Sequence, residues 1–162
     1  MKKILYGTLL AIALMGTATG CGEKKQEIIE SNIEIDVQKT ADDILSKCDF
    51  KDNLATVDKN IALTRLYSLD EAQIKECAFY TNSNATAEEI AVIEVVSEDY
   101  ADDVKAAYET RIENQKNACK DYLPDEVTKL ESAIIYTNGN YVILCVSNDN
   151  AKAEDIINGM FK

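Results

Sequence analysis

The spacing of apolar residues divides this chain into segments of different kinds. From Ile4 to about Met15 it is mainly apolar. From Val37 the period becomes helical: Val37, Ala41, Ile44 and Cys48 recur three or four apart behind Asp36, a suitable N-cap. That predicts a short helix from about Val37 to Cys48. A second helical stretch, Asp58 to Tyr67, carries Ile61, Leu63, Leu66 and Tyr67, and Ser68 to Gln73 predicts a further turn starting at Ser68 or Asp70. Val104, Tyr108, Ile112 and Cys119 mark a long helix from Ser97 to about Tyr122, and a last helix runs from Ala151 to about Phe161.

Between these helices the period shortens and repeats. Tyr80-Thr81-Asn82-Ser83-Asn84 is echoed by Tyr136-Thr137-Asn138-Gly139-Asn140. Each copy precedes an apolar strand that runs into a helix start, Val92 to Ser97 in one and Val142 to Ser147 in the other. Asp99 and Ala101 then match Asp149 and Ala151. This internal repeat predicts two strand-strand-helix units. Asn138-Gly139 is a two-residue hairpin signal, since both residues tolerate positive φ, and it sets Tyr136 opposite Tyr141 and Ile134 opposite Ile143. Ile135 and Ala133 then oppose Val142 and Leu144 on the other face. Both faces are apolar and both need cover. The expected arrangement puts the two unit helices over one face and the N-terminal helices over the other. The fold class is α+β, a four-stranded, mainly antiparallel sheet preceded by short N-terminal helices.

The first apolar run is about a dozen residues, short of the roughly 20 that span a bilayer, and follows Lys2-Lys3. It ends at Ala18-Thr19-Gly20 directly before Cys21, resembling the cleavage site of bacterial lipoproteins, in which the cysteine thiol carries a diacylglyceryl group. The alternative is an ordinary secretory leader cut after Ala18 or Gly20, with Cys21 incidental. The chain then divides into a leader (1–20), a lipidated Cys21 with a polar tether (21–36) and one domain (37–162). A tether of this length reaches roughly 20 Å as a coil and about 50 Å extended, which keeps the domain at the extracytoplasmic face of the membrane.

The net charge is −12, and removal of Lys2 and Lys3 makes it more negative still. Such a surface repels nucleic-acid phosphates, so no nucleic-acid partner is expected. No D-x-[DN]-x-[DN]-G loop gathers the acids for calcium, and they read as solvated helix faces. The chain has no histidine, which excludes Ser-His-Asp and Cys-His catalysis and the usual His-bearing zinc sites. No metal and no cofactor is expected. Beyond Cys21 the cysteines are Cys48, Cys77, Cys119 and Cys145, with no C-x-x-C spacing. Two disulfides in any of three pairings are open to an exported chain. Each cysteine continues an apolar pattern, however, which favours four small buried hydrophobic side chains.

The units differ at the first hairpin tip by six extra residues, Ala85 to Ile90, in which Thr86-x-x-Glu89 fits a capping box and predicts a helical turn ahead of the strand. Together with Ala91-Val92, Arg111 and Gln115, Tyr122-Leu123-Pro124 and Gly139-Asn140-Tyr141-Val142, this tip resembles a family of small Gram-positive lipoproteins, domain of unknown function 4358. The resemblance covers most of the chain after Cys21. It implies location and fold, and no activity.

Thr86, Glu88, Glu89, Arg111 and Gln115 form the candidate interaction surface, Arg111 and Gln115 lying one helical turn apart. The bland alternative pairs Arg111 with Glu88, Glu89 or Glu113 merely to anchor the tip. The expected function is a surface-anchored binding module for a protein or cell-wall partner. A structural accessory lipoprotein is the runner-up, and a hydrolase using Glu88 and Glu89 ranks last, since adjacent side chains usually point apart.

Overall fold

The computed structural model describes residues 33–82 and 86–162; the leader, Cys21 and most of the tether lie outside the described residues. Helix α1 (Val37–Lys47) begins where the Asp36 carboxylate accepts the Lys39 N–H at 2.8 Å. Strand β1 (Ala55–Thr56) precedes α2 (Lys59–Ile61), which widens into a π-helical stretch, Ala62–Tyr67. Strands β2 (Ile74–Thr81) and β3 (Glu89–Val95) lead to α3 (Ala101–Cys119) and α4 (Pro124–Glu131). Strands β4 (Ile134–Asn138) and β5 (Tyr141–Val146) then lead to α5 (Asn150–Met160).

The architecture is α+β, with all strands antiparallel in the order β1-β2-β3-β5-β4. Among the described residues the sheet thus has five strands, where the repeat predicts four. The extra one, β1, is two exposed residues on the free edge of β2, too short and polar to leave a periodic signature. Strands β3 and β5 occupy the centre and are buried throughout, as their continuous apolar runs require.

Helices cover both faces, with a different partition from the expected one. On one face Val104, Tyr108 and Ile112 of α3 pack with Leu63 and Tyr67 against Ile93, Val95, Val142 and Leu144. On the other, Val37, Ala41 and Ile44 of α1 join Ala153 and Ile157 of α5 over Ile90, Val92, Ile143 and Cys145. Placing α3 and α5 on the same face is therefore incorrect, and the register explains why. Tyr136 pairs with Ile143, so the repeat would pair Tyr80 with Ile93; Tyr80 instead pairs with Ile90, three positions away. An odd displacement turns a strand over. Ile93 and Ile143, equivalent in the repeat, consequently face opposite sides, and the helices that follow them diverge. Full burial of a side chain such as Ile143 contributes roughly 1.5–3 kcal/mol.

The β4–β5 hairpin also departs from expectation. Asn138 pairs with Tyr141, so the two-residue turn is Gly139-Asn140. Gly139 has φ 53° and Asn140 is outside the positive-φ region, the pattern of a type II′ turn. That type needs positive φ only at the glycine, whereas a turn centred on Asn138-Gly139 would require it of the asparagine too. The slip is even, so Tyr136 and Ile134 keep their shared face while their partners become Ile143 and Cys145.

Candidate functional site

Three consecutive residues leading into β3, Ala87 to Glu89, gather the chain around them. The Ala87 N–H donates to Glu126 Oε2 at 2.8 Å. Glu88 accepts the N–H groups of Lys51 and Asp52 at 2.8 and 2.9 Å, and Lys129 Nζ at 2.9 Å. Lys129 also reaches Glu126 Oε2 at 3.2 Å, so one ammonium joins two carboxylates. Glu89 accepts the Tyr67 hydroxyl at 2.5 Å, Arg111 at 2.8 and 3.2 Å, and Gln115 Nε2 at 3.0 Å. The next strand residues, Ile90 to Ile93, alternate into the two cores, which fixes the start of β3.

The electrostatics follow from these partners. Burial alone would push the Glu88 carboxyl up, but the two backbone donors and Lys129 outweigh it and hold the group below its ordinary 4.5. Burial opposes the charge on Arg111, and Glu89 more than restores it, so its pKa lies above the usual value. Burial, then the Glu89 charge, raise the Tyr67 hydroxyl well above 10. Tyr67 therefore donates its proton to the carboxylate and keeps it.

Of the expected surface residues, the structure brings Glu89, Arg111 and Gln115 into one cluster, and sends Glu88 to another with Lys129. Glu88 and Glu89 are each 1% exposed, so neither belongs to a surface. They are buried because each finds enough donors from distant segments to replace water. Thr86, Arg111 and Gln115 remain partly exposed. The predicted helical turn after Thr86 is absent from residues 86–88: Asn82 Nδ2 donates to Thr86 O and Oγ1, and the Thr86 hydroxyl donates to Asp52 Oδ2 at 3.0 Å. Glu89 is a strand residue engaged by α3, unavailable to cap a turn.

Tyr67, Glu126 and Lys129 join these clusters without having been expected from the sequence, and α4 likewise. The signal for α4 was present in Pro124 at the first helical position with Asp125 and Glu126 behind it. Tyr67 shows only as one residue of an apolar stripe. Beside it lies a groove of about 540 Å³ between the π-helical stretch and α3, lined in part by Arg65, Tyr67, Ser68, Asp70, Asp103 and Asn114. Ser68 stands at its head with φ 55° and ψ 42°, a left-handed backbone rare for a residue other than glycine. π-Helical turns and such backbone outliers both concentrate at functional sites.

The antiparallel sheet between helical layers, with this buried acidic base to its long hairpin, defines an α+β domain. The chain belongs to the family described as Domain of unknown function (DUF4358), whose model matches residues 46–147. No curated protein matches the chain, and no solved structure does. The matched span takes in β1 through β5 and both carboxylate clusters, and stops short of α5.

Proposed function

We propose that this protein is a membrane-anchored extracytoplasmic lipoprotein, retained through Cys21, that serves as a binding or interaction module at the cell surface. The leader pattern from Lys2-Lys3 to Cys21 supports the location. The observation that carries the binding half is the groove beside α3, with a strained Ser68 at its head and a wall held rigid by the Glu89 cluster. Rigid support under a partly polar groove is what recognition requires. Arg111 and Gln115 act here as positioning residues. They hold Glu89 and, through Tyr67, the π-helical wall.

The groove is open along its length, which favours a protein or wall-polymer segment over an enclosed small ligand. An accessory envelope lipoprotein with no small ligand stays the second reading, favoured by the same openness. A hydrolase built on Glu88 and Glu89 has little support, because their carboxylates turn to different partners, Lys129 in one case and Arg111 in the other. The test is crosslinking in intact cells with wild-type protein and an Arg65→Gln/Asn114→Lys variant, which alters two exposed groove residues and leaves both clusters intact. The expected result is a crosslinked partner that the variant loses at unchanged Tm. An identical set of crosslinks for both proteins would overturn the groove as the contact face.

A further inference from the structure

Cys48 and Cys145 come from opposite ends of the domain sequence and meet on the α1/α5 side of the sheet. Cys48 follows the last turn of α1, where its N–H donates to Ile44 O at 2.9 Å. The next residue is tied to the end of β5, Asp49 O accepting the Asn148 N–H at 2.8 Å. Cys145 lies in β5, fully buried, and Cys48 packs against the same apolar cluster, near enough for the two side chains to perturb each other's titration. Cys48 also lines a cavity of about 350 Å³, open to solvent, together with Leu45, Phe50 and Asn53. Cys77 is on the opposite face of the sheet, packed against the α3 cluster, and Cys119 is at the far end of α3.

We propose that Cys48 and Cys145 are a redox pair, an accessible attacking thiol and a buried resolving thiol that close to a reversible disulfide on meeting a low-molecular-weight or protein disulfide. This differs from reading all four cysteines as inert core residues, and it selects one of the three pairings. The reaction balances as two exchanges. The Cys48 thiolate attacks one sulfur of the oxidant, forming a mixed disulfide and expelling the first oxidant thiolate, which takes up a proton. Cys145 then gives up its proton and attacks Cys48 Sγ, forming the internal disulfide and expelling the second oxidant thiolate. Two protein thiols are oxidised and one disulfide is reduced.

The roles follow from position. Cys48 opens on the solvent-facing cavity while Cys145 is sealed in the central strand, and interaction with the Cys145 side chain, helped by Lys152 and Lys47, lowers the Cys48 thiol against its partial burial and the nearby Asp149. The same interaction, with burial, raises Cys145 well above the ordinary thiol value. The closed bond would staple α1 to the central strands across most of the folded chain. The exported location proposed above supplies an oxidising compartment, but the pair's chemistry does not depend on it.

The test uses the purified full chain, reduced, freed of reductant, and exposed to oxidised glutathione under native conditions. Peptide mapping should show a Cys48–Cys145 crosslink, with two thiols lost and Tm raised on the order of 10 °C. Cys145→Ser should instead trap glutathione on Cys48. Persistence of all thiols, an unresolved glutathione adduct in the wild type, or a crosslink joining a different pair would overturn the proposal. The wild-type map decides it even if a variant fails to fold.

Discussion

Replacing Arg111 with Met keeps most of the aliphatic bulk of that side chain and removes the cation that faces Glu89. The carboxylate is 1% exposed, so it loses its counter-charge where water cannot take over, while Tyr67 and Gln115 still donate to it. Stripping one partner from a buried ion pair typically costs about 3–5 kcal/mol. The Arg111 side chain is 22% exposed and two donors stay in place, so the lower end applies, about 3 kcal/mol. For a domain of this size that lowers Tm by roughly 10 °C. Urea unfolding of wild type, Arg111→Met, Glu89→Gln and the double variant measures it as a cycle. The double variant should recover about 2 kcal/mol relative to the sum of the single changes, because no uncompensated charge is left buried. If Arg111→Met unfolds within about 0.5 kcal/mol of wild type at the same m-value, the pair is not what holds the hairpin base, and the reasoning fails.

Glu88 has a folded pKa below 4.5, so the stability it lends is whole above that pH and is lost as pH falls through the folded value; Glu88→Gln should flatten this acid limb in pH-dependent unfolding. An unchanged acid limb would contradict the assigned partners. Among the described residues the buried Tyr108 hydroxyl has no hydrogen-bond partner, so Tyr108→Phe should raise stability by about 1 kcal/mol, measured by urea unfolding; a clear loss would count against an unpaired hydroxyl. Gly139→Ala places a Cβ 3.1 Å from Glu98 Oε1 at φ 53° and should lower stability by about 1–2 kcal/mol, readable as a thermal shift.

What the sequence makes legible here is whatever depends on local periodicity. The stripe Val37, Ala41, Ile44 becomes the buried face of α1, and the runs before Ser97 and Ser147 become the two central strands. The repeat was visible as well, but its spatial outcome depended on the parity of one strand register. Six extra tip residues do not reveal how many of them extend the ladder, and the three-residue shift sent α5 to the other face. Strand β1 was invisible because two exposed residues carry no pattern. The fate of Glu88 and Glu89 was hidden for a different reason. Burial of a carboxylate depends on donors brought from Lys51, Tyr67, Arg111 and Lys129, and the spacing of residues around position 88 says nothing about those. The alternative that pairs Arg111 with Glu88, Glu89 or Glu113 needed only the charges, and it is Glu89 that Arg111 meets.

Membrane anchorage through Cys21 is the claim on which the proposed role depends. The direct measurement is intact mass spectrometry of the N-terminal peptide from membrane-associated protein, alongside fractionation of a Cys21→Ala variant. The expected result is a mature chain that starts at Cys21 and bears a diacylglyceryl group, and a variant that leaves the membrane fraction. A native chain that starts after Ala18, or one that starts at Cys21 with an unmodified thiol, would contradict it.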